Sequence, residues 1–156
     1  MKNKINNSKL TINKNKNGFT LIELLIVVAI VGVLASLLMV NFVGIRQRAR
    51  DAQRKSDIRQ IQSALEMYRA DQGSYPTSLS SCSSSLMGGS PEITYMQKIP
   101  CDPLNTGKYV YTYSSSGVTY SLFSCLENIN DSQKDSSNNT TYCDGSSNWS
   151  FTLQNP

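Results

Sequence analysis

Histidine is absent from this chain of 156 residues. The chain therefore lacks the most common general base and the most common metal-ligating side chain in proteins. A Ser–His or Cys–His nucleophile pair cannot be built from it, and the sequence shows no convergent pair of carboxylates. These absences disfavour an enzyme, so we expect no catalytic residues and no cofactor of catalysis.

Charged residues are also few, at 17% of the chain, and they are unevenly distributed. All five lysines of the first 18 residues precede the first acidic residue. Without that stretch, 10 basic and 11 acidic side chains remain, a net charge of 10 − 11 = −1. The positive charge of the whole chain therefore belongs mainly to its first residues. Nucleic acid is not expected as a partner of the rest of the chain.

A long apolar run follows the lysine-rich stretch. It covers residues 19–43 and has no charged residue between Leu24 and Val40. A helix of these 25 residues is about 37 Å long at ~1.5 Å per residue, which is enough to cross a membrane. The lysines before the run place the N-terminus in the cytoplasm, although three arginines soon after the run oppose this orientation. The exported character of the following fold favours the orientation set by the lysines.

Residues 44–72 predict a second, amphipathic part of the same helix. Its apolar residues recur mostly at spacings of three and four and form one narrow stripe. The stripe consists of Ile45, Ala49, Ala52, Ile58, Ile61, Leu65 and Tyr68. No Pro or Gly interrupts the chain between Ile45 and Gln72, whereas Gly73 and then Pro76 predict the end of the helix.

Residues 73–156 predict a small β-rich head. Residues 108–114 and 119–125 alternate in the manner of strands around a short turn, which predicts a hairpin. Residues 146–153 predict a third strand, and residues 77–92 predict a loop rich in Ser and Gly. Because a hairpin alone is only marginally stable, we expect this antiparallel sheet to pack on the amphipathic helix. The expected fold class is α+β.

The residues around Gly18 form a recognisable motif. From Lys16 to Ala35 the chain reads KNGFTLIELLIVVAIVGVLA. This stretch resembles the prepilin signature of type IV pilins and type II secretion pseudopilins, with Gly before an aromatic residue and an unbroken apolar helix. The resemblance implies the pilin fold, cleavage between Gly18 and Phe19 by a prepilin peptidase, and N-methylation of Phe19. It also implies a filament whose core is made of these helices.

Glu23 is the only charged residue inside the apolar run. A carboxylate in such a segment costs a few kcal/mol or more unless it is paired. Cleavage after Gly18 would create an α-amino group on Phe19, and the resemblance implies that Glu23 pairs with this amine of a neighbouring subunit. The alternative for Glu23 is a simple charge near the end of a helix. An ordinary signal peptide ending at Ala35 is disfavoured, because the apolar run continues beyond it.

The resemblance continues past the apolar helix, where the chain resembles the major pseudopilins and related bacterial pilins. It includes RDAQRKSDI at residues 50–58, IPCDP at residues 99–103 and YVY at residues 109–111. It becomes looser towards Cys125 and ends there. The resemblance divides the chain into a leader of residues 1–18, the two helical parts already described, and the head.

Calcium is a candidate ligand of the head. Major pseudopilins carry a Gly- and Asp-rich calcium loop beyond the position of Cys125. This chain has a Ser- and Asn-rich stretch there, and Asp131, Asp135 and Asp144 supply oxygen ligands without the glycines or the spacing of that loop. The alternative to a calcium site is a solvated loop.

The four cysteines, Cys82, Cys101, Cys125 and Cys143, all lie in the second half of the chain and form no C-x-x-C pair. An even number of cysteines downstream of an apolar segment predicts disulfides in an oxidising compartment. Of the three pairings, we favour Cys82–Cys101 with Cys125–Cys143, because each bond then ties down one polar loop. The nested pairing stays open, and so do two buried free thiols.

The sequence therefore predicts a structural subunit that acts by assembly. Its expected partners are copies of itself and other pilin-like subunits, a prepilin peptidase and methyltransferase, an inner-membrane assembly platform, and membrane lipid before assembly. We expect a single-pass inner-membrane protein with its head outside, later part of a pilus or pseudopilus. The alternative is a membrane-anchored binding or adhesion protein that does not polymerise.

Overall fold

A computed structural model of the protein describes residues 18–155, apart from the side chains of Val40 and Asn41, and its architecture is α+β. The described elements are one helix and five strands: α1 (Leu21–Gln72), β1 (Leu86–Gly88), β2 (Ile93–Met96), β3 (Thr112–Ser115), β4 (Tyr120–Leu126) and β5 (Trp149–Gln154). The chain divides into two compact units, residues 1–40 and 41–156. The predicted leader lies outside the described residues, except for Gly18.

The first unit contains the apolar beginning of helix α1. Residues Leu21–Met39 have a mean hydropathy of 2.9, and none of them is buried. This is the one described helix that is long and apolar enough to cross a membrane. Apolar surface of this extent is unfavourable in water, so it requires lipid or other protein chains to cover it.

The second unit has a core built on one face of the rest of α1. Ile58, Ile61 and Leu65 are completely buried at helical spacing. They pack in one cluster with side chains of the strands, among them Leu122 and Phe151. The second half of the predicted amphipathic stripe is thereby confirmed.

The first half of that stripe differs from the prediction. Ile45 is 58% exposed, and Ala49 and Ala52 are exposed as well. The buried positions in this part of the helix are instead Asp51 and Arg54. The spacing of apolar residues does not predict this buried face of the helix, because the buried side chains here are charged.

The principal sheet has three antiparallel strands in the order β3-β4-β5. In its register Ser114 lies opposite Ser121, and Cys125 lies opposite Ser150. The predicted hairpin and third strand are thus present, with shifted ends. The hairpin turn is closed by a hydrogen bond of 3.0 Å from Ser116 N–H to Thr119 C=O. Gly117 in this turn has a φ of 84°, which glycine adopts without strain.

A second, two-stranded sheet was not predicted. Strands β1 and β2 pair antiparallel, and β1 lies within the Ser- and Gly-rich stretch expected to be a loop. Leu86 is buried there, and a Cβ at Gly88 would overlap the ring of Tyr68. Strand β1 therefore depends on its contact with helix α1. The short sequence of the strand does not predict this contact.

Two disulfides cross-link the head, Cys82–Cys101 and Cys125–Cys143, with Cα–Cα distances of 5.0 and 5.7 Å. This is the pairing favoured from the sequence, and the nested pairing is not formed. Cys82 is exposed, whereas both Cys125 and Cys143 are buried. The first bond ties the loop before β1 to the segment after β2, and the second ties the polar loop before β5 to strand β4.

Candidate functional site

The residues predicted for processing and assembly lie together at the beginning of helix α1. Phe19 is 89% exposed and lies two residues before the first residue of the helix. Among the described residues, no atom lies within 4 Å of the position that a Cβ on Gly18 would take. The described fold therefore does not require glycine at position 18.

Glu23 forms a capping box with Thr20 at the start of the helix. The Thr20 N–H donates to the Glu23 carboxylate at 3.2 Å, and the Glu23 N–H donates to Thr20 Oγ1 at 3.3 Å. These reciprocal bonds satisfy two backbone donors that a helix start leaves free. The Thr-x-x-Glu pattern of residues 20–23 is the sequence signal that indicates such a cap. An ionised carboxylate still has acceptor sites for a further donor.

A buried cluster of charges lies on helix α1 in the second unit. The side chain of Arg54 is 0% exposed. Its guanidinium donates to Asp102 at 2.7 Å, to Asp51 at 2.8 Å and to Glu127 at 2.7 Å. Its face also lies over the ring of Tyr109, 4.7 Å from the centroid. Burial by itself lowers the pKa of Arg54, but the hydrogen bonds to the carboxylates outweigh it and raise the pKa.

This cluster joins the helix to two distant parts of the head. Glu127 follows strand β4, and its pKa is held below the ordinary value by the hydrogen bond from Arg50, against burial, with Arg54 contributing. The Asp51 carboxylate accepts the N–H groups of Glu127 and Asn128 at 2.9 and 2.8 Å. Removing one member would leave buried charges without partners, which makes the cluster a structural requirement of the head. No short sequence pattern indicates this role, because the partners of Arg54 lie up to 73 residues away along the chain.

The three aspartates considered for calcium serve separate internal contacts. Asp131 pairs with Lys55 at 2.8 Å. Asp135 accepts from Thr152 Oγ1 at 2.6 Å, and Asp144 accepts from the Ser147 N–H at 2.8 Å. No group of three or more His, Cys, Asp or Glu side chains that could hold a metal ion is found within residues 18–155. The described loop is thus held by protein groups.

The comparison with known families first defines the class of protein. Residues 13–39 match the prokaryotic N-terminal methylation motif. This match covers the predicted cleavage site, Glu23 and the exposed apolar helix. Together with the α+β head, it defines the chain as a pilin-like filament subunit.

Residues 41–141 match the family described as type II secretion system protein G. The chain therefore belongs to the type II secretion system protein G family, the pseudopilins. Its role is that of a structural subunit that assembles through its N-terminal apolar helix. A membrane-anchored binding protein that does not polymerise is not favoured. The matched region ends at residue 141, so strand β5 lies beyond it.

Individual relatives agree with this assignment. The chain is 32% identical to the type II secretion system core protein G of Escherichia coli over 117 residues, which cover 70% of this chain and 80% of the relative. It is 34% identical to that of Klebsiella michiganensis over 98 residues, which cover 58% and 69%. No solved structure matches the chain significantly.

Proposed function

We propose that this chain is a precursor that a prepilin peptidase cuts between Gly18 and Phe19 and that the mature subunit enters a type II secretion pseudopilus. The observation that carries this proposal is that no residue of the apolar segment Leu21–Met39 is buried. A helix with this surface is stable in lipid before assembly and against other apolar helices afterwards. Its relatives are type II secretion system core proteins G.

The proposed processing site has the accessibility that a peptidase needs. Phe19 is 89% exposed, and the described fold leaves open space at Gly18. Because the fold does not demand glycine there, we assign the glycine to the peptidase, whose cleft would be crowded by a side chain. The same accessibility allows a methyltransferase to modify the new amine of Phe19.

We assign Glu23 to assembly. Its carboxylate lies at the start of an apolar helix, four residues after Phe19, and is bonded only to Thr20 of its own chain among the described residues. In a bundle of such helices, the methylated amine of Phe19 on one subunit would pair with Glu23 of the next. The pair would neutralise both charges and set the axial register of the subunits.

The remaining assignments follow from this role. We propose residues 1–18 as leader, 19–43 as membrane and filament-core helix, 44–72 as the amphipathic part of the helix and 73–156 as the head. The N-terminus lies in the cytoplasm and the head outside the inner membrane, where disulfides form. The chain works with other pseudopilins and an inner-membrane assembly platform, without catalysis or a cofactor.

The N-terminal mass of the purified protein tests the proposal. Wild-type protein is expected to begin at Phe19 and to carry one methyl group, whereas Gly18→Val is expected to keep the whole leader. Gly44→Val is the matched control, because Gly44 also has open space around its Cα within the described residues and lies away from the cut. Normal removal of the leader from Gly18→Val would contradict the assignment.

A further inference from the structure

The first six basic residues after the apolar segment lie between residues 46 and 59 of helix α1, and the structure separates them into two groups. Arg50 and Arg54 bind Glu127, and Lys55 binds Asp131, so three of the six are used inside the head. The other three are Arg46, Arg48 and Arg59. These three are exposed and form no ion pair with any residue between 18 and 155.

Arg46 and Arg48 lie in apolar surroundings, unlike Arg59. Around them, Phe42, Val43 and Ile45 are 52%, 66% and 58% exposed. The Arg46 guanidinium lies over the Phe42 ring at 5.1 Å from the centroid. We call residues 42–48 the interfacial segment, because arginines beside exposed apolar side chains at the end of a membrane helix are typical of the boundary between hydrocarbon and water.

We propose that Arg46 and Arg48 bind the phosphate groups of anionic phospholipids where the apolar helix leaves the membrane. Arg46 lies seven residues after Met39, the last residue of the apolar segment. Arginine donates two parallel hydrogen bonds to a phosphate, and its aliphatic stem remains in apolar surroundings. This inference rests on the proposed insertion of Leu21–Met39 into a membrane.

Lipid is favoured over other anionic partners by the position of the interfacial segment. The segment directly continues an apolar run that itself requires lipid, and its apolar side chains would remain exposed beside nucleic acid. The binding also accounts for arginines on the side of the membrane that the positive-inside rule disfavours. The lipid phosphates would hold the waiting subunit at a fixed depth, and extraction into the filament would break these contacts.

A titration with phosphatidylglycerol tests this inference. The full chain is held in neutral detergent, and lipid binding is measured by native mass spectrometry. A basic residue near an anionic membrane surface contributes about fivefold in affinity, so Arg46→Gln with Arg48→Gln should weaken phosphatidylglycerol binding about 30-fold. The wild type and the double variant should bind phosphatidylcholine equally, because this lipid is neutral overall. Arg59→Gln is the matched control, because Arg59 lies about 20 Å further along the helix at ~1.5 Å per residue.

The inference is overturned if the double variant binds phosphatidylglycerol like the wild type, or if Arg59→Gln loses as much affinity. It is also overturned if duplex DNA binding depends on Arg46 and Arg48 while lipid binding does not. Carbonate extraction of membranes separates this result from the proposed function. A wild-type chain that is extracted contradicts the proposed function, whereas an inserted chain that shows no preference for phosphatidylglycerol contradicts only the lipid site.

Discussion

Leu25 and Ile58 lie on the same helix, yet Leu25 is 58% exposed and Ile58 is completely buried. The first unit exposes its apolar side chains throughout, whereas the second unit buries a core of apolar side chains between residues 58–65 of the helix and strands β4 and β5. The second unit also contains a buried ion cluster and two disulfides. The head thus has its own sources of stability, while the N-terminal part of the helix depends on lipid or neighbouring subunits. Separate substitutions should therefore affect folding and assembly independently.

The largest expected effect is the loss of filaments on removal of the Glu23 charge. Glu23→Ala removes both the charge and the capping box, whereas Glu23→Gln removes only the charge, because glutamine also serves in capping boxes. Both variants should insert in the membrane, keep the thermal stability of the head, and fail to form filaments visible by electron microscopy. Wild-type filament yield from Glu23→Gln would assign Glu23 to helix capping alone. Glu92→Ala, an exposed carboxylate of the head, is the control.

The next largest effect concerns Arg54. Arg54→Met leaves the carboxylates of Asp51, Asp102 and Glu127 buried without their shared partner, which should cost about 3–5 kcal/mol of unfolding free energy. Arg59→Met removes an exposed arginine from the same helix and should change it by less than about 0.5 kcal/mol. Thermal unfolding followed by near-ultraviolet circular dichroism measures both. Equal stability of the two variants would refute the structural role of the cluster.

The two disulfides should differ in their contribution to stability. Their rings are similar, with sequence separations of 19 and 18, so each should contribute about 3 kcal/mol in the chain-entropy description. Replacing Cys125 and Cys143 by serine should cost about 1–3 kcal/mol more, because it buries hydroxyl groups without assured partners. Unfolding of the two double variants in urea measures the difference. A larger loss from the Cys82–Cys101 pair would contradict the contrast in burial.

Acid should weaken the head through Glu127. The folded pKa of Glu127 lies below its ordinary value of 4.5, mainly because of the hydrogen bond from Arg50. The resulting stability is therefore present above pH 4.5 and is lost as the pH falls through the lower folded pKa. Melting temperatures between pH 7 and pH 3 should decline most below about pH 4.5, and Glu127→Gln should reduce that decline. An unchanged acid profile in Glu127→Gln would exclude this origin.

The smallest expected effect is that of divalent metal. Because Asp131, Asp135 and Asp144 are bonded separately to protein groups, added calcium or a chelator should leave the melting temperature of the head unchanged within error. A rise in melting temperature with calcium that disappears in Asp131→Asn would instead support the calcium site considered from the sequence.

Lys55→Gln should lower the free energy of unfolding slightly, by up to about 1 kcal/mol, because it breaks a partly exposed ion pair.

Local sequence patterns predict most of the fold. The apolar run, the Gly-Phe junction, the end of the helix at Gly73 and the alternation of strands β4 and β5 are each contained in a short stretch, since they depend on periodicity and on the preferences of single residues. The processing and assembly roles of Gly18, Phe19 and Glu23 also come from such a stretch, and they stay proposals. One pairing of the cysteines could be favoured because each of its bonds ties down one polar loop, but the alternatives stayed open until the strands were placed.

Only the tertiary structure decided which charged residues are internal. Arg50, Arg54 and Arg59 look alike in the sequence, but Arg54 is buried because the fold brings Asp102 and Glu127 to it from 48 and 73 residues away. Burial of a charge is stable only when such distant partners arrive together, so no local pattern reports it. Strand β1 is likewise decided by the contact of Gly88 with Tyr68. Short-range periodicity therefore determined the helix and most strands, and long-range pairing determined which polar side chains hold the head together.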